Sequence, residues 1–274
     1  MPFMRLLIVA VFALVACVSI AADARLPSAS QGSFLVFDGL LYTDKPDLRT
    51  VGMVPIRGVN PPVIGNRSAD EVDHAQVRAT LQLLVGYQGL IYLDYEQWQV
   101  YQIPVAQLAG NIKKLNQVAQ IAHEVLPGAQ LGYYGLLPCF DYWNLVQNNQ
   151  EKIKNWQDCN AQLDQIAQHV DVIFPSLYTF YNDPQGWDIY AGATLQAARR
   201  YGKPVYAFLW PEFHVSNRFL KDRNLPGNFW RHELEFCRTR ADGIVIWGGY
   251  QKPWDDQAAW WLETKTFLAG LHSR

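Results

Sequence analysis

The amino-acid sequence predicts one irregular α/β barrel of the (β/α) TIM type, with about seven strands in a single domain. Three observations carry this expectation. Apolar, β-prone runs alternate with segments of helical period from Ser33 to the C-terminus. The loops after the predicted strands are long and those before them short, which gathers chemistry at one rim. No glycine-rich phosphate loop follows the first strand, which disfavours the alternative of a doubly wound open sheet. Half of the 274 residues are apolar, enough to bury a core of this size.

Ser33–Gly39 reads as the first strand and Val51–Gly58 as the second, followed by an Asn-Pro-Pro loop. Ser68-Ala69-Asp70-Glu71 resembles a capping box and opens a helix to about Val85. The third strand is expected over Leu90–Glu96. Val105, Leu108, Ile112, Leu115, Val118, Ala122 and Val125 then recur at helical spacing, stopped by Pro127-Gly128. A strand at Leu131–Gly135 leads into a polar insertion between Cys139 and Cys159, rich in Asn and Gln. A helix at about Ala161–Val170, a strand at Asp171–Tyr178 and a helix at about Ala191–Tyr201 follow. Pro204–Trp210 is a strand, Trp230–Arg240 a helix, Gly243–Gly249 the last strand and Asp256–Leu271 the closing helix.

Residues 1–24 read as a targeting segment. Arg5 precedes an apolar run from Leu6 to Ala16, and Ala22-Asp23-Ala24 offers small residues for cleavage. A second reading stays open: Leu14-Val15-Ala16-Cys17 is similar to the processing box of bacterial lipoproteins, with Cys17 lipidated and tethered to a membrane. Both imply export, periplasmic or secreted, with residues 25–274 as the barrel. Export makes the later cysteines possible disulfide partners. Cys139 and Cys159 bracket the polar insertion, whereas Cys237 sits in a predicted helix as a buried thiol. No Cys or His spacing resembles a metal site, and no cofactor is expected. The formal charge of −2 supplies no basic footprint for nucleic acid.

The chemistry concentrates at Leu93-Asp94-Tyr95-Glu96-Gln97-Trp98. In a strand, Leu90, Tyr92, Asp94 and Glu96 share one face, and Ile91, Leu93 and Tyr95 the other. Two acids at the C-terminal end of a buried parallel strand belong at the rim where active sites are built. Other strand ends deliver Asp38, Tyr133 or Tyr134, Tyr178, Trp210, Glu212 and Trp247 to the same cup; the adjacent Tyr133 and Tyr134 must face opposite ways. The chain holds 10 Trp, 14 Tyr and 13 Phe, so aromatic walls can stack on sugar rings. Carboxylates between such walls suit glycoside hydrolysis. Neither a phosphate cradle nor a G-x-S-x-G elbow is present.

Two acids on one strand, about 7 Å apart by strand rise, cannot act on opposite faces of the glycosidic bond. Substrate assistance resolves this. The 2-acetamido oxygen of an N-acetylated sugar becomes the nucleophile. One carboxyl is acid/base and the other orients the acetamido N–H.

These residues carry a resemblance to the hyaluronidase family of glycoside hydrolases. The blocks are Leu93–Trp98, Gly132-Tyr133-Tyr134-Gly135 with Cys139 beyond, Pro175-Ser176-Leu177-Tyr178, and Ala241–Gly248. The resemblance implies an irregular barrel, Glu96 as acid/base and Asp94 as the acetamido-positioning neighbour. It implies Tyr134, Tyr178 and Trp247 around the sugar, with Trp210 a further wall candidate, and a Cys139–Cys159 disulfide. Gln99-Val100 stands where the family usually has Arg-Pro; a basic residue there would suit a uronate. A carbohydrate-binding barrel without catalysis, and a lysozyme- or chitinase-like hydrolase of cell walls, remain as alternatives.

Overall fold

The computed structural model describes residues 34–60 and 71–272. The targeting segment with Cys17 and the Ser68 capping box lie outside the described residues. Six parallel strands form one sheet in the order β4-β3-β2-β1-β6-β5. They are β1 (Leu35–Leu40), β2 (Val54–Val59), β3 (Leu90–Leu93), β4 (Gln130–Tyr133), β5 (Tyr206–Leu209) and β6 (Gly243–Gly248). The helices are α1 (His74–Gln82), α2 (Val105–Val125), α3 (Tyr142–Val146), α4 (Gln150–Gln162) and α5 (Asp164–Ala167), then α6 (Pro184–Arg199), α7 (Gly227–Arg238) and α8 (Ala259–His272). Among the described residues no helix is long and apolar enough to cross a membrane.

The expected strand at Asp171–Tyr178 is a correction. It survives only as isolated parallel bridges: Phe174 to Tyr134 beyond β4, and Ile173 and Ser176 to Val205 and Phe208 beside and within β5. Pro175 interrupts the ladder there, since it has no N–H to give. The named strands therefore number six, with this segment bridging toward both edges of the sheet. Two further expectations shift. β3 ends at Leu93 rather than at Glu96, and Glu96 lies in a turn after it. The polar insertion is largely helical, as α3 and α4, each opened by a side-chain cap from Asp141 or Asn149.

Side chains sort by the period-2 alternation of the strands. Leu90, Tyr92, Phe37, Ile56, Val172, Phe174, Tyr206, Phe208 and Val245 pack into one aromatic-rich cluster. Ile91, Leu93, Tyr95 and Tyr133 join the larger core instead. The Tyr133 hydroxyl donates to Leu115 O of α2 at 2.6 Å, so this ring is spent on packing. Strand register places Tyr92 between Gly58 of β2 and Gly132 of β4. A Cβ on Gly58 would lie 2.3 Å from the Tyr92 ring, so the missing side chain is what admits the tyrosine.

The Cys139–Cys159 disulfide is also corrected: both thiols are free. Cys139 Sγ donates to Asn160 Oδ1 at 3.0 Å and Cys159 Sγ to Val100 O at 3.0 Å. The insertion is held by other means. Trp156 Nε1 donates to Cys139 O at 2.6 Å, and Cys139 N donates to Asn160 Oδ1 at 3.0 Å.

Candidate active site

The site forms where β3 ends. Asp94 N still donates to Val59 O at 2.9 Å, which continues the ladder by one residue. The chain then turns, with Trp98 N donating to Tyr95 O. Tyr95 and Trp98 are buried, with centroids 5.4 Å apart, and anchor the turn that carries Glu96. Asp94 is half-buried and Glu96 is exposed.

Both acids are shifted upward. Burial, and then the charge of Glu96, lifts Asp94 to about 7. Desolvation also raises Glu96. The other rim carboxylates differ in having cations. Asp38 accepts from Lys45 Nζ at 2.6 and 2.7 Å, and Glu212 from Lys252 Nζ at 2.5 Å. Among the described residues no lysine or arginine pairs with Asp94 or Glu96. Asp38 and Glu212 thus act as structural ion pairs, and Asp94 and Glu96 stand as the uncompensated acids of the rim.

Aromatic side chains surround them. Trp247 and Tyr178 are stacked at 5.8 Å, and Trp210 meets Tyr178 at 5.4 Å and Trp247 at 5.2 Å, edge to face. Tyr134 lies 5.7 Å from Tyr178. Tyr134 Oη is 3.2 Å from Ser176 Oγ. Tyr92 packs in the same aromatic cluster as Tyr178, with Trp247 against it. Burial raises all three tyrosines, and Asp94 adds to the shift in each, so their hydroxyls stay neutral. The Trp210 indole N–H is buried with no hydrogen-bond partner among the described residues. An orphaned donor of this kind calls for a reason.

The structure therefore brings together all six sequence-selected residues: Asp94, Glu96, Tyr134, Tyr178, Trp210 and Trp247. Three participants escaped the sequence reading. Tyr92 shares a face with Asp94 and could have been found by parity. Ser176 lay inside a quoted block without a role. His214, whose ring lies 6.3 Å from Tyr178 and 6.0 Å from Trp210, gives no local signal. Among the described residues no group of His, Cys, Asp and Glu could hold a metal ion.

No protein-family model and no curated protein sequence matches the chain. Among solved structures, the fold is similar to that of bee venom hyaluronidase. The TM-score is 0.62 at 14% identity, over 88% of this chain and 96% of that one. The same protein in complex with a hyaluronic acid tetramer aligns with a TM-score of 0.60 at 13% identity, over 88% of this chain and 95% of that one. At such identity the likeness is one of fold alone: an α/β chain built on a parallel sheet.

Proposed function

We propose that the chain is a glycoside hydrolase that cleaves an N-acetylhexosamine-containing polysaccharide by substrate-assisted, retaining hydrolysis. The observation that carries the reading is the Asp94–Glu96 pair. Two acids without cations, Asp94 half-buried and lifted by desolvation and Glu96 two residues on, stand at a strand end beside Tyr134, Tyr178, Trp210 and Trp247. A cost of that kind is typical of working carboxyls.

In this mechanism Glu96 enters protonated and gives its proton to the leaving glycosidic oxygen. The acetamido oxygen of the substrate attacks the anomeric carbon, and Asp94 holds the acetamido N–H. Water then opens the cyclic intermediate, with Glu96 taking the proton back. The neutral Tyr134 and Tyr178 hydroxyls and the unpartnered Trp210 N–H supply donors to sugar oxygens. The bee protein was solved with a hyaluronic acid tetramer, which favours this substrate class. Gln99, where the family usually has arginine, makes a neutral N-acetylhexosamine polymer the better substrate than a uronate-bearing one.

The bridged segment at 173–176 supports a complete barrel closed between β4 and β5. Export is part of the same reading, with residues 1–24 a signal peptide or a lipoprotein signal before Cys17. The mass of the mature N-terminus decides between the two.

The test is product release from hyaluronan, chondroitin, chitin oligomers and peptidoglycan by wild type and Glu96→Gln. Cleavage by wild type alone is expected for one polymer. Cleavage of one polymer by both proteins at equal rates would overturn the role of Glu96. Binding without cleavage would favour the non-catalytic barrel.

A further inference from the structure

A second aromatic surface lies on the same rim as the acids and outside the wall around them. Phe140 and Trp143, three residues apart, are 47% and 50% exposed, a large apolar area to leave in water. They are not loosely held. Trp143 sits on α3, whose capping residue Asp141 accepts from Tyr101 Oη and from Asn144 Nδ2, each at 2.7 Å. The neighbouring Tyr142 is buried, with Phe180 and Tyr181 5.6 and 5.4 Å away. Phe140 stacks on Phe180 at 6.1 Å, and Trp143 lies 4.8 Å from Tyr181.

This shelf is continuous with the candidate active site. From Trp247 the ring contacts run to Tyr178, then His214, then Phe180, then Phe140, at 5.8, 6.3, 4.7 and 6.1 Å. The rings come from loops after β4, after the bridged segment, after β5 and from the end of β6, so all stand at the C-terminal ends of the strands. The track carries no charge. Its histidine, His214, is held neutral by burial, its value lowered to about 4, and burial raises Tyr178. A flat, neutral, rigid aromatic track that starts at a sugar site suits the apolar faces of successive pyranose rings.

We propose that Phe140, Trp143 and Phe180 form a distal subsite that stacks sugar units of the polymer beyond those at Asp94 and Glu96. The proposal rests on the reading of the site as a saccharide site and adds to it where the chain of the polymer runs. Its consequence is a dependence on oligomer length. Short oligosaccharides occupy only the wall around Tyr178 and Trp247, while longer ones gain contact with the shelf.

The test measures binding of N-acetylglucosamine oligomers, from dimer to hexamer and longer, and of hyaluronan oligosaccharides of matching lengths. The proteins are Glu96→Gln and Glu96→Gln with Phe140→Ala and Trp143→Ala. Phe219→Ala, at a residue 86% exposed, is the control for a surface aromatic without a track. Affinity is expected to rise with length in the parent. The shelf variant should keep short-oligomer affinity and lose the gain of longer ones, about tenfold. Both substituted side chains are exposed, and unchanged melting temperature separates lost binding from lost folding. An equal length dependence in parent and shelf variant overturns the subsite and leaves the proposed function standing. So does equal loss in the Phe219→Ala control. Absence of binding by the parent at every length overturns both.

Discussion

Glu212 and Lys252 meet across the ends of β5 and β6, Oε2 to Nζ at 2.5 Å, with the glutamate side chain 2% exposed and the lysine 42%. The pair is asymmetric. Lysine can return to water when its partner is lost, and glutamate cannot. Lys252→Met should therefore destabilise the protein at pH 7 by about 3 kcal/mol, because a buried charge is left unpaired. Glu212→Gln should cost less, and the double variant should recover part of the loss. Urea denaturation of the four proteins measures the coupling directly.

Asp94 makes a prediction about stability and pH. Its value in the fold is raised to about 7, above that of an unfolded aspartate. The folded protein then holds a proton that the unfolded chain releases. The contribution is present in full below about pH 4 and is lost as pH rises toward 7. Asp94→Asn should stabilise the protein at pH 8, by about 1–3 kcal/mol once partial exposure is allowed for, and change little at pH 4. Thermal melts at the two pH values check it. An equal effect at both would remove ionisation as the cause.

Activity should follow a different limb. Glu96 must enter protonated, and desolvation raises its carboxyl. The rate should fall on the alkaline side as that proton leaves, with apparent values that belong to the Asp94–Glu96 pair rather than to either acid. Asp94→Asn removes the second ionisable carboxyl of the pair and should leave a single alkaline step. Glu96→Gln should lower the rate by about 10²–10⁴-fold. A rate that climbs from neutral to alkaline pH would end the acid assignment.

Gly58 is predicted to tolerate no side chain. Its absent Cβ would lie 2.3 Å from the Tyr92 ring, inside the aromatic cluster beneath the site. Gly58→Ala should cost about 2–3 kcal/mol through overpacking. It should also shift the Tyr92 ring, which meets Phe208 edge to face at 5.1 Å. Near-ultraviolet circular dichroism and a denaturant titration read the two effects separately.

The thiols supply a further check. Cys159 is half-buried and its value is lowered by the adjacent Cys139 side chain, whose own is raised by burial; Cys237 is buried and raised. Without reductant, iodoacetamide should modify Cys159 first and leave Cys139 and Cys237 until the protein unfolds. Peptide mass mapping at short times distinguishes the order.

The legible parts of this protein were those written in short-range periodicity. α2 runs over Val105–Val125, the span marked by its apolar spacing, and the β3 alternation sends Tyr92 and Leu93 to opposite sides. Because a parallel strand delivers its last residues to one rim, the expected strand ends place Asp94, Glu96, Tyr178, Trp210 and Trp247 in one neighbourhood, and the family resemblance adds Tyr134. Long-range pairing was beyond that reach. Whether Asp171–Tyr178 forms a strand depends on what β4 and β5 offer on either side, and Pro175 left only bridges. Whether Cys139 and Cys159 join depends on Asn160 and Val100, which take both sulfurs as donors. The lysines that neutralise Asp38 and Glu212, and so single out Asp94 and Glu96, lie 7 and 40 residues away in sequence. The rings of His214 and Phe180 meet only after folding. Local pattern decides which way a side chain points; the partner that it finds is set by loops converging on the rim, and no spacing in the sequence records that convergence.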